Sequence, residues 1–506
     1  MMTDESNLKD KVIKGSFWVL LERCGSQVAT FLVGLVLARL LTPTDYGQVA
    51  MIGLFVTIAT VLVDGGFGSA LIQKKDADEL DFNSVFYLSL GVAAVLYLVL
   101  FFAAPLIASF YGVPSLVPMI RVVSLTVFSA AINTIQNAEI SRRMLFHYLF
   151  RMTMISTTVS LPTGLALAWF GFGPWSLVWS WVAGSVSNVI VRWYYIAWRP
   201  RLAFSFERVV PLFRYSWKLL AAWIIGAGFQ NLYKLLIGKF YTPADLSFVE
   251  KGRNIPELVM NNVSGALAST SFPALVKLQN DRERMREAMR KMLITSTFIV
   301  FPMMLLLAVV SPKLTLFLYG EKWMPSVPFA RLACFSCALM PFAMINERAV
   351  EALGRSDLYL KIEILKKTIS VVVLGVFLPQ GVVFWMAAMA FVEGPFGCLV
   401  NAWPQRKLLG YSLLMQLKDV APVLLLTVVV AAPLLVLDLI WTGTSPISLF
   451  FCLACQGVLA VVLYLLLSIV FKMRGIAEVV SIIGPKVKCL APLWNLVLGH
   501  CHKHEG

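Results

Sequence analysis

Leu40-Leu41-Thr42-Pro43-Thr44-Asp45-Tyr46-Gly47 closes one long apolar stretch and opens the next. About 200 residues later, Phe240-Tyr241-Thr242-Pro243-Ala244-Asp245 stands at the matching place between two further apolar stretches. The Thr-Pro-x-Asp turn has a local purpose: Thr or Asp caps the next helix, and Pro fixes its first turn. Ser16, Leu20, Leu32, Leu35, Thr42, Pro43, Asp45 and Val49 all find a match at this one offset. A second echo follows. Pro105 precedes Phe110-Tyr111-Gly112, and Pro312 precedes Leu318-Tyr319-Gly320. Arg121 parallels Arg331, and Glu139 with Arg143 parallels Glu351 with Arg355. The chain therefore reads as two copies of one helical unit.

The 506 residues are 59% hydrophobic and 14% charged, a balance that places most of the chain in lipid. Stretches long enough to cross a bilayer lie near 16–40, 46–72, 83–110, 115–140, 147–170, 174–198, 209–240, 244–275, 289–311, 326–353, 358–378, 381–403, 419–440 and 445–471. One set of connecting loops carries Lys9, Lys11, Lys14, Lys74, Lys75, Arg142, Arg143, Arg151, Arg199, Arg201 and Arg208. The same set continues with Lys277, Arg282, Arg284, Arg286, Arg290, Lys291, Arg355, Lys361, Lys366, Lys367, Arg406, Lys407, Lys418, Lys472, Arg474, Lys486, Lys488 and Lys503. The alternate set carries only Lys313 and Lys322. The bias puts the basic loops and both chain ends in the cytoplasm, which requires an even number of spans.

The fold expected is an all-α membrane protein of about fourteen transmembrane helices, in two six-helix lobes related by pseudo-two-fold symmetry, plus two C-terminal helices. Its parts are a cytoplasmic N-terminus (1–15), an N-lobe (16–198), a linker (199–208), a C-lobe (209–403), a final helix pair (404–471) and a cytoplasmic tail (472–506). No cleavable signal peptide is expected at the acidic start Met1-Met2-Thr3-Asp4-Glu5. In the tail, Val479–Leu498 is expected along the membrane surface. The net charge of +15 follows from the loop bias, so no nucleic-acid partner is implied. Cys334 and Cys337, like Cys452 and Cys455, sit in apolar helices without further ligands and read as small buried hydrophobes. Cys501-His502-Lys503-His504 is a weak metal-like cluster, and no metal or cofactor is expected.

Basic residues also lie within or beside the spans, where charge is costly. Arg39, Arg192, Arg214, Lys218 and Lys239 sit near helix ends and can snorkel to the interface. Arg23, Lys234, Lys251, Arg253 and Arg348 are candidate substrate-binding groups of a cationic lumen. The eighth span, with Glu250, Lys251, Arg253, Asn254, Glu257, Asn261 and Asn262, is too polar on too many faces to be surrounded by lipid. The tenth span adds Asn346, Glu347, Arg348 and Glu351. Arg253 and Glu257, four residues apart, can equally form an internal salt bridge. Asp64, at the head of Asp64-Gly65-Gly66-Phe67-Gly68, reads either as a proton or cation site or as a kinked helix end whose carboxylate bonds freed backbone groups. It joins Glu250 and Glu257 as a candidate coupling or gating group. A surplus of positive charge suits an anionic ligand, phosphate above all. The sequence carries no phosphate-binding glycine loop, HExxH or GxSxG motif, so no catalytic constellation is expected.

The first-loop run Leu40–Gly47 resembles that of polysaccharide flippases in the multidrug/oligosaccharidyl-lipid/polysaccharide exporter superfamily. The run from Asp64 to Asp76 is similar to that of the WzxC-like lipopolysaccharide biosynthesis branch. So are Ala104–Gly112, Arg199-Pro200-Arg201-Leu202 and Phe272-Pro273-Ala274-Leu275. The resemblance covers roughly residues 10–470. It implies a two-lobed fold in the bacterial inner membrane and alternating access. The implied cargo is an undecaprenyl-diphosphate-linked oligosaccharide, moved to the periplasmic leaflet for lipopolysaccharide, capsule or exopolysaccharide synthesis. Membrane lipids and polysaccharide polymerase machinery are the implied partners. Cavity arginines in the first and eighth helices of related lipid II flippases correspond by helix to Arg23 and Arg253. A drug or cation antiporter of the same superfamily is the alternative, and it would require an acidic lumen.

Overall fold

The computed structural model describes Trp18, Glu22, residues 25–74 and residues 76–483. Arg23, most of Val479–Leu498 and the Cys501–His504 cluster lie outside the described residues. Nearly all of the described residues are helical and none is a strand, and the described parts of the expected spans fall mainly on helices. In order, these are α1 (Gly25–Leu40), α2 (Pro43–Asp64), α3 (Phe67–Gln73), α4 (Glu79–Tyr111), α5 (Leu116–Val123), α6 (Thr126–Arg143), α7 (Phe146–Trp169) and α8 (Trp175–Tyr195). They are followed by α9 (Phe206–Phe240), α10 (Pro243–Lys277), α11 (Arg282–Tyr319), α12 (Val327–Ala352), α13 (Ser356–Phe377), α14 (Val382–Ala388) and α15 (Gly394–Ala402). The last are α16 (Gln405–Leu408), α17 (Leu413–Ile440), α18 (Pro446–Val470) and α19 (Arg474–Ile483). Among the described residues, nine helices are long and apolar enough to cross a membrane, so the protein is a multi-pass membrane protein.

The repeated turns fold alike. Thr42 N–H donates to the Asp45 carboxylate at 2.8 Å, and Asp45 N–H donates back to Thr42 Oγ1 at 3.2 Å. The same two bonds between Thr242 and Asp245 measure 3.0 and 3.2 Å. In each, two backbone donors that the helix start would orphan are satisfied by side chains. The later echo diverges: Arg143 pairs with Glu139 at 2.5 Å, whereas Glu351 pairs with Arg348 and Arg355 with Asp357.

The chain forms two compact units, residues 1–247 and 248–506. The boundary expected from the repeat lay before the seventh span. By contacts α9 packs with the first unit, against α2, α4 and α3.

Within the first unit, α7 and α8 meet along a seam of small residues. Ser160 Oγ donates to Ser180 O and Ser180 Oγ donates to Ser160 O, both at 2.9 Å. A Cβ on Gly164 would lie 3.0 Å from Ser180 Cβ, so the close approach depends on the missing side chain. α9 touches its neighbours near both ends. At one end Gly238 faces the Tyr111 ring, and past the helix Pro243 O lies where a Cβ on Gly47 would be only 1.7 Å away. At the other, Val209 and Leu212 join a core with Phe67, Phe82 and Phe86.

The linker into α9 is tied to the start of α4. Asp81 is fully buried and takes Lys74 Nζ at 2.6 Å, with Arg208 3.9 Å away. Arg208 also pairs with Asp78 at 3.2 Å, and Arg201 pairs with Glu79 at 2.8 Å. The linker backbone joins in: Arg201 N–H donates to Asn83 Oδ1 and Ser205 N–H to Ser84 Oγ, each at 3.0 Å. Asp78 caps α4, and the Asp81 N–H it accepts, helped by Arg208 and Lys74, holds its carboxyl below the usual carboxylate range.

In the second unit α11 is the axis, packed on α12, α17, α18 and α19. Lys313 Nζ reaches Asp438 O at 2.6 Å and its carboxylate at 3.0 Å. Asn346 and Gln416 exchange amide bonds at 2.8 and 3.0 Å, and Gln405 donates to Asn346 O at 2.8 Å. All three amides are fully buried, so Asn346 fastens α17 to α12 instead of facing a cavity.

Two outcomes follow. Gly47→Ala places a Cβ against Pro243 O and is expected to lower stability by about 1–3 kcal/mol, read as a fall in unfolding temperature in detergent. Asp81→Asn leaves Lys74 and Arg208 without their buried counter-charge and is expected to open the linker to proteolysis. Because Asp78 is held below its unfolded value, its contribution is complete above roughly pH 4 and is lost as pH falls through the folded value. Linker protection in the wild type should therefore weaken on acidification below about pH 4, and not on raising the pH.

Candidate functional site

The second unit holds most of the candidate groups. On α10, Arg253 donates Nε and Nη2 to the same Glu257 oxygen, each at 2.6 Å. The i,i+4 spacing makes this pair, as the sequence allowed. The Glu257 side chain is 41% exposed and Arg253 19%, so the carboxylate is the more open member of a charge-neutral couple.

Lys251 takes another direction. Its ammonium lies 5.2 Å from the Tyr319 ring centroid and 5.5 Å from that of Trp323. It also lines a cavity with Ser311, Thr315 and Tyr319 whose room is about 20 Å³, enough for one water. Aromatic faces stabilise an ammonium taken out of water. Lys251 and Arg253 share a helix but not a patch.

Next to these, α12 and α13 carry a charge network. Arg348 pairs with Glu351 at 2.5 Å. Lys366 lies 3.4 Å from Glu347 and also pairs with Glu363. At the edge of α13, Arg355 forms a two-pronged pair with Asp357 at 2.9 and 3.0 Å and holds its carboxyl down at about 2. Asp357 is therefore charged at any physiological pH.

Glu393 was not among the expected groups. It ends a π-helical segment, Met389–Glu393, between α14 and α15, and accepts a hydrogen bond from the Ser370 hydroxyl on α13. Wide turns of this kind inside α-helices gather at functional positions. An acid just before Gly394-Pro395 in an apolar stretch was the available signal.

In the first unit, Asp64 ends α2 where Gly65 and Gly66 both take positive φ, at 55° and 73°, and break the helix. Its Oδ1 accepts from the Thr134 hydroxyl at 2.7 Å. The kink is as the sequence suggested, and the carboxylate's donor here is a side chain on α6. Lys234 stands apart from the other candidates, 5.9 Å from the Tyr233 ring centroid.

Arg192 differs from expectation. It does not snorkel but is 8% exposed, donating to Asn188 Oδ1 at 2.6 Å and Asn137 Oδ1 at 2.9 Å. Asn188 in turn donates to Ser156 Oγ at 3.1 Å. Two amide oxygens and a closed interior hold the guanidinium more favourably than a path to the interface would. The Asn188–Arg192 spacing, one turn on one face, carried this signal. Nearby on α7, the Thr153 hydroxyl donates to Glu22 at 3.1 Å.

Known proteins share this architecture. The chain is similar to the succinoglycan biosynthesis transport protein ExoT of Rhizobium meliloti (strain 1021), at 25% identity over 67% of this chain and 68% of the relative. It is similar to the teichuronic acid biosynthesis protein TuaB of Bacillus subtilis (strain 168), at 24% over 70% and 73%. The lipopolysaccharide biosynthesis protein WzxC of Escherichia coli (strain K12) is 26% identical over 71% and 74%. Among solved structures, the lipid II flippase MurJ in an inward closed conformation superposes with a TM-score of 0.71 at 15% identity, covering 92% of this chain and all of that one. An inward-facing multidrug resistance MATE transporter of the MOP superfamily gives 0.56 at 14%, over 79% and 94%. These likenesses show the fold: an all-α membrane fold shared with both structures. The profile of one sequence family, described as polysaccharide biosynthesis protein, matches residues 36–328, more than half of the chain. The chain belongs to the polysaccharide biosynthesis protein family.

Proposed function

We propose that the protein carries a polyprenyl-diphosphate-linked oligosaccharide from the cytoplasmic to the outer leaflet of the bacterial inner membrane, by alternating access. The relatives are named for three different polymers: succinoglycan, teichuronic acid and lipopolysaccharide. A transporter type that serves different glycans recognises what their lipid-linked units share, and a diphosphate on a polyprenyl chain is such a feature. The observation that carries the reading is Arg253 on α10, its fork held by a half-exposed carboxylate that an incoming diphosphate can replace. Glu257 then becomes free to take a proton or another cation, which gives the cargo-bound and empty states different charge distributions. Arg348, in the same unit, is a further cationic group for the cargo, and Arg23 and Lys234 remain candidates from the sequence. Lys251, in its aromatic setting, serves the same lobe from within. Asp64 and Glu250 remain the further candidates for coupling or gating.

The gathering of basic residues in one set of loops supports a cytoplasmic position for both chain ends. Units delivered outside would pass to a polymerising or ligating reaction, and no chemical step is assigned to this chain. A drug or cation antiporter needs unpaired intramembrane acids for its cargo. Here Glu257, Glu347 and Glu351 each pair with a base, while Asp64 and Glu393 accept from hydroxyls; the acid beside Arg253 on α10 and the two on α12 are thus already neutralised, which favours the anionic reading.

Cells lacking this chain, in a strain with no paralogue, are expected to accumulate lipid-linked repeat units in the inner leaflet; normal delivery to the periplasm in such cells would rule the function out. Arg253→Ala is expected to reduce surface polysaccharide roughly tenfold or more, the scale of one charge-assisted contact. Glu257→Gln keeps the arginine, removes its counter-charge and is expected to retain cargo binding. Full export by Arg253→Ala would remove this residue from the site and leave the function standing.

A further inference from the structure

In each compact unit one arginine completes a helix that a proline has opened. Pro105 has no N–H for Phe101 O, and Arg121 on α5 donates its Nε there at 3.4 Å. Pro312 leaves Ala308 O open in the same way, and Arg331 on α12 donates its Nε there at 3.3 Å, beside the Ser311 hydroxyl at 2.9 Å. Arg121 also lies over the Phe101 ring, 4.2 Å from its centroid.

Both contacts use Nε. These carbonyl contacts do not use the two Nη groups of either guanidinium. Neither arginine has an ion pair with a carboxylate among the described residues, and Arg331 is exposed. Each stands four or five residues into its helix, roughly 6–8 Å from the start, and reaches a carbonyl in the outer half of α4 or α11. One turn further on, Leu125 is 44% exposed and Phe335 38% exposed, the latter against the exposed Phe391 ring at 4.6 Å. These are lipid-type surfaces, and they belong to the helix ends that the loop charges assign to the outer face. A charge in such a place needs a counter-charge from its surroundings. A guanidinium fork fits two oxygens of a phosphate, and a charged side chain in the outer half of a span draws headgroup phosphate toward it.

We propose that Arg121 and Arg331 are two phosphate-binding positions, one in each unit, that hold phospholipid headgroups at the outer ends of α4 and α11. Carbonyl satisfaction and phosphate binding use different atoms of the same side chain. Glutamine separates them, since Arg121→Gln and Arg331→Gln keep an N–H donor for the carbonyl and lose the charged fork.

The test is native mass spectrometry of the full chain released from micelles doped with phosphatidylglycerol, with a phosphate-free glucosyl diacylglycerol, or with polyprenyl diphosphate. The wild type is expected to retain phosphatidylglycerol over the glucolipid, and each Gln variant to retain it roughly tenfold less at one position. The lipid-free unfolding temperature should change little. If only polyprenyl diphosphate binding falls in the variants, the same forks bind phosphate from the cargo and not from the bulk lipid. Equal retention of both phosphate lipids by the wild type and the double variant overturns the proposal. Should a Gln variant fail to fold, the wild type's preference for phosphate lipid over glucolipid still decides: no preference overturns it. Arg331→Lys, with charge but no fork, should retain an intermediate amount.

Discussion

Hydrocarbon offers no water to an open backbone group, and the protein's helices are broken in many places. Each break therefore needs a donor or acceptor brought from elsewhere in the chain. The two Thr-Pro-x-Asp turns meet this locally, with side chains three residues apart satisfying the orphaned N–H groups. At prolines inside long helices the donor also comes from a neighbouring helix, at Ala308 O beside the local Ser311 hydroxyl. Phe101 O receives Arg121, Ala308 O receives Arg331, and Phe298 O, opened by Pro302, receives the Tyr464 hydroxyl from α18 at 2.9 Å. Every such bond also fixes which helix lies beside which. The rule that keeps the backbone satisfied thus becomes a rule of assembly.

Charge is handled in a similar way, with a different consequence. Arg192 is closed in by two amides and buried, and Asp81 is closed in by two bases and buried. Both groups are structural in their effect, fixing α8 to α6 and the linker to α4. Arg253 is different because its partner is half open to the surroundings. A salt bridge that exposes its acid can exchange that acid for another anion without leaving a buried charge unpaired at any stage. This separates a candidate binding arginine from an internal one more clearly than depth along the helix does.

The repeat, the positions of the helices, the capped turns and the Arg253–Glu257 pair were legible in the sequence because each depends on spacing within a few residues. The Arg121–Arg331 echo was visible as well, but its purpose was not: it becomes clear only when Phe101 and Ala308 are seen across the helix interface. Arg192 looked able to snorkel because Asn137, its second acceptor, is far away along the chain. Lys251 looked like a neighbour of Arg253 until Tyr319 and Trp323 showed which side of α10 it occupies. Glu393 escaped because no local pattern announces a π turn or the arrival of Ser370. The seventh helix reads as the start of the second copy, yet its contacts lie with the first unit. Sequence repetition reports ancestry of segments, and packing follows the apolar and small-residue faces that meet.

The central claim is transbilayer movement of an anionic lipid-linked glycan. It is tested most directly with the purified protein in liposomes holding a polyprenyl-diphosphate oligosaccharide whose sugar is labelled and chemically quenchable from outside. The expected result is that the wild type brings inner-leaflet label within reach of the quencher much faster than protein-free vesicles do, and that Arg253→Ala is slow. Quenching no faster than in protein-free vesicles, or equal movement of the same lipid bearing a cationic headgroup, would contradict it.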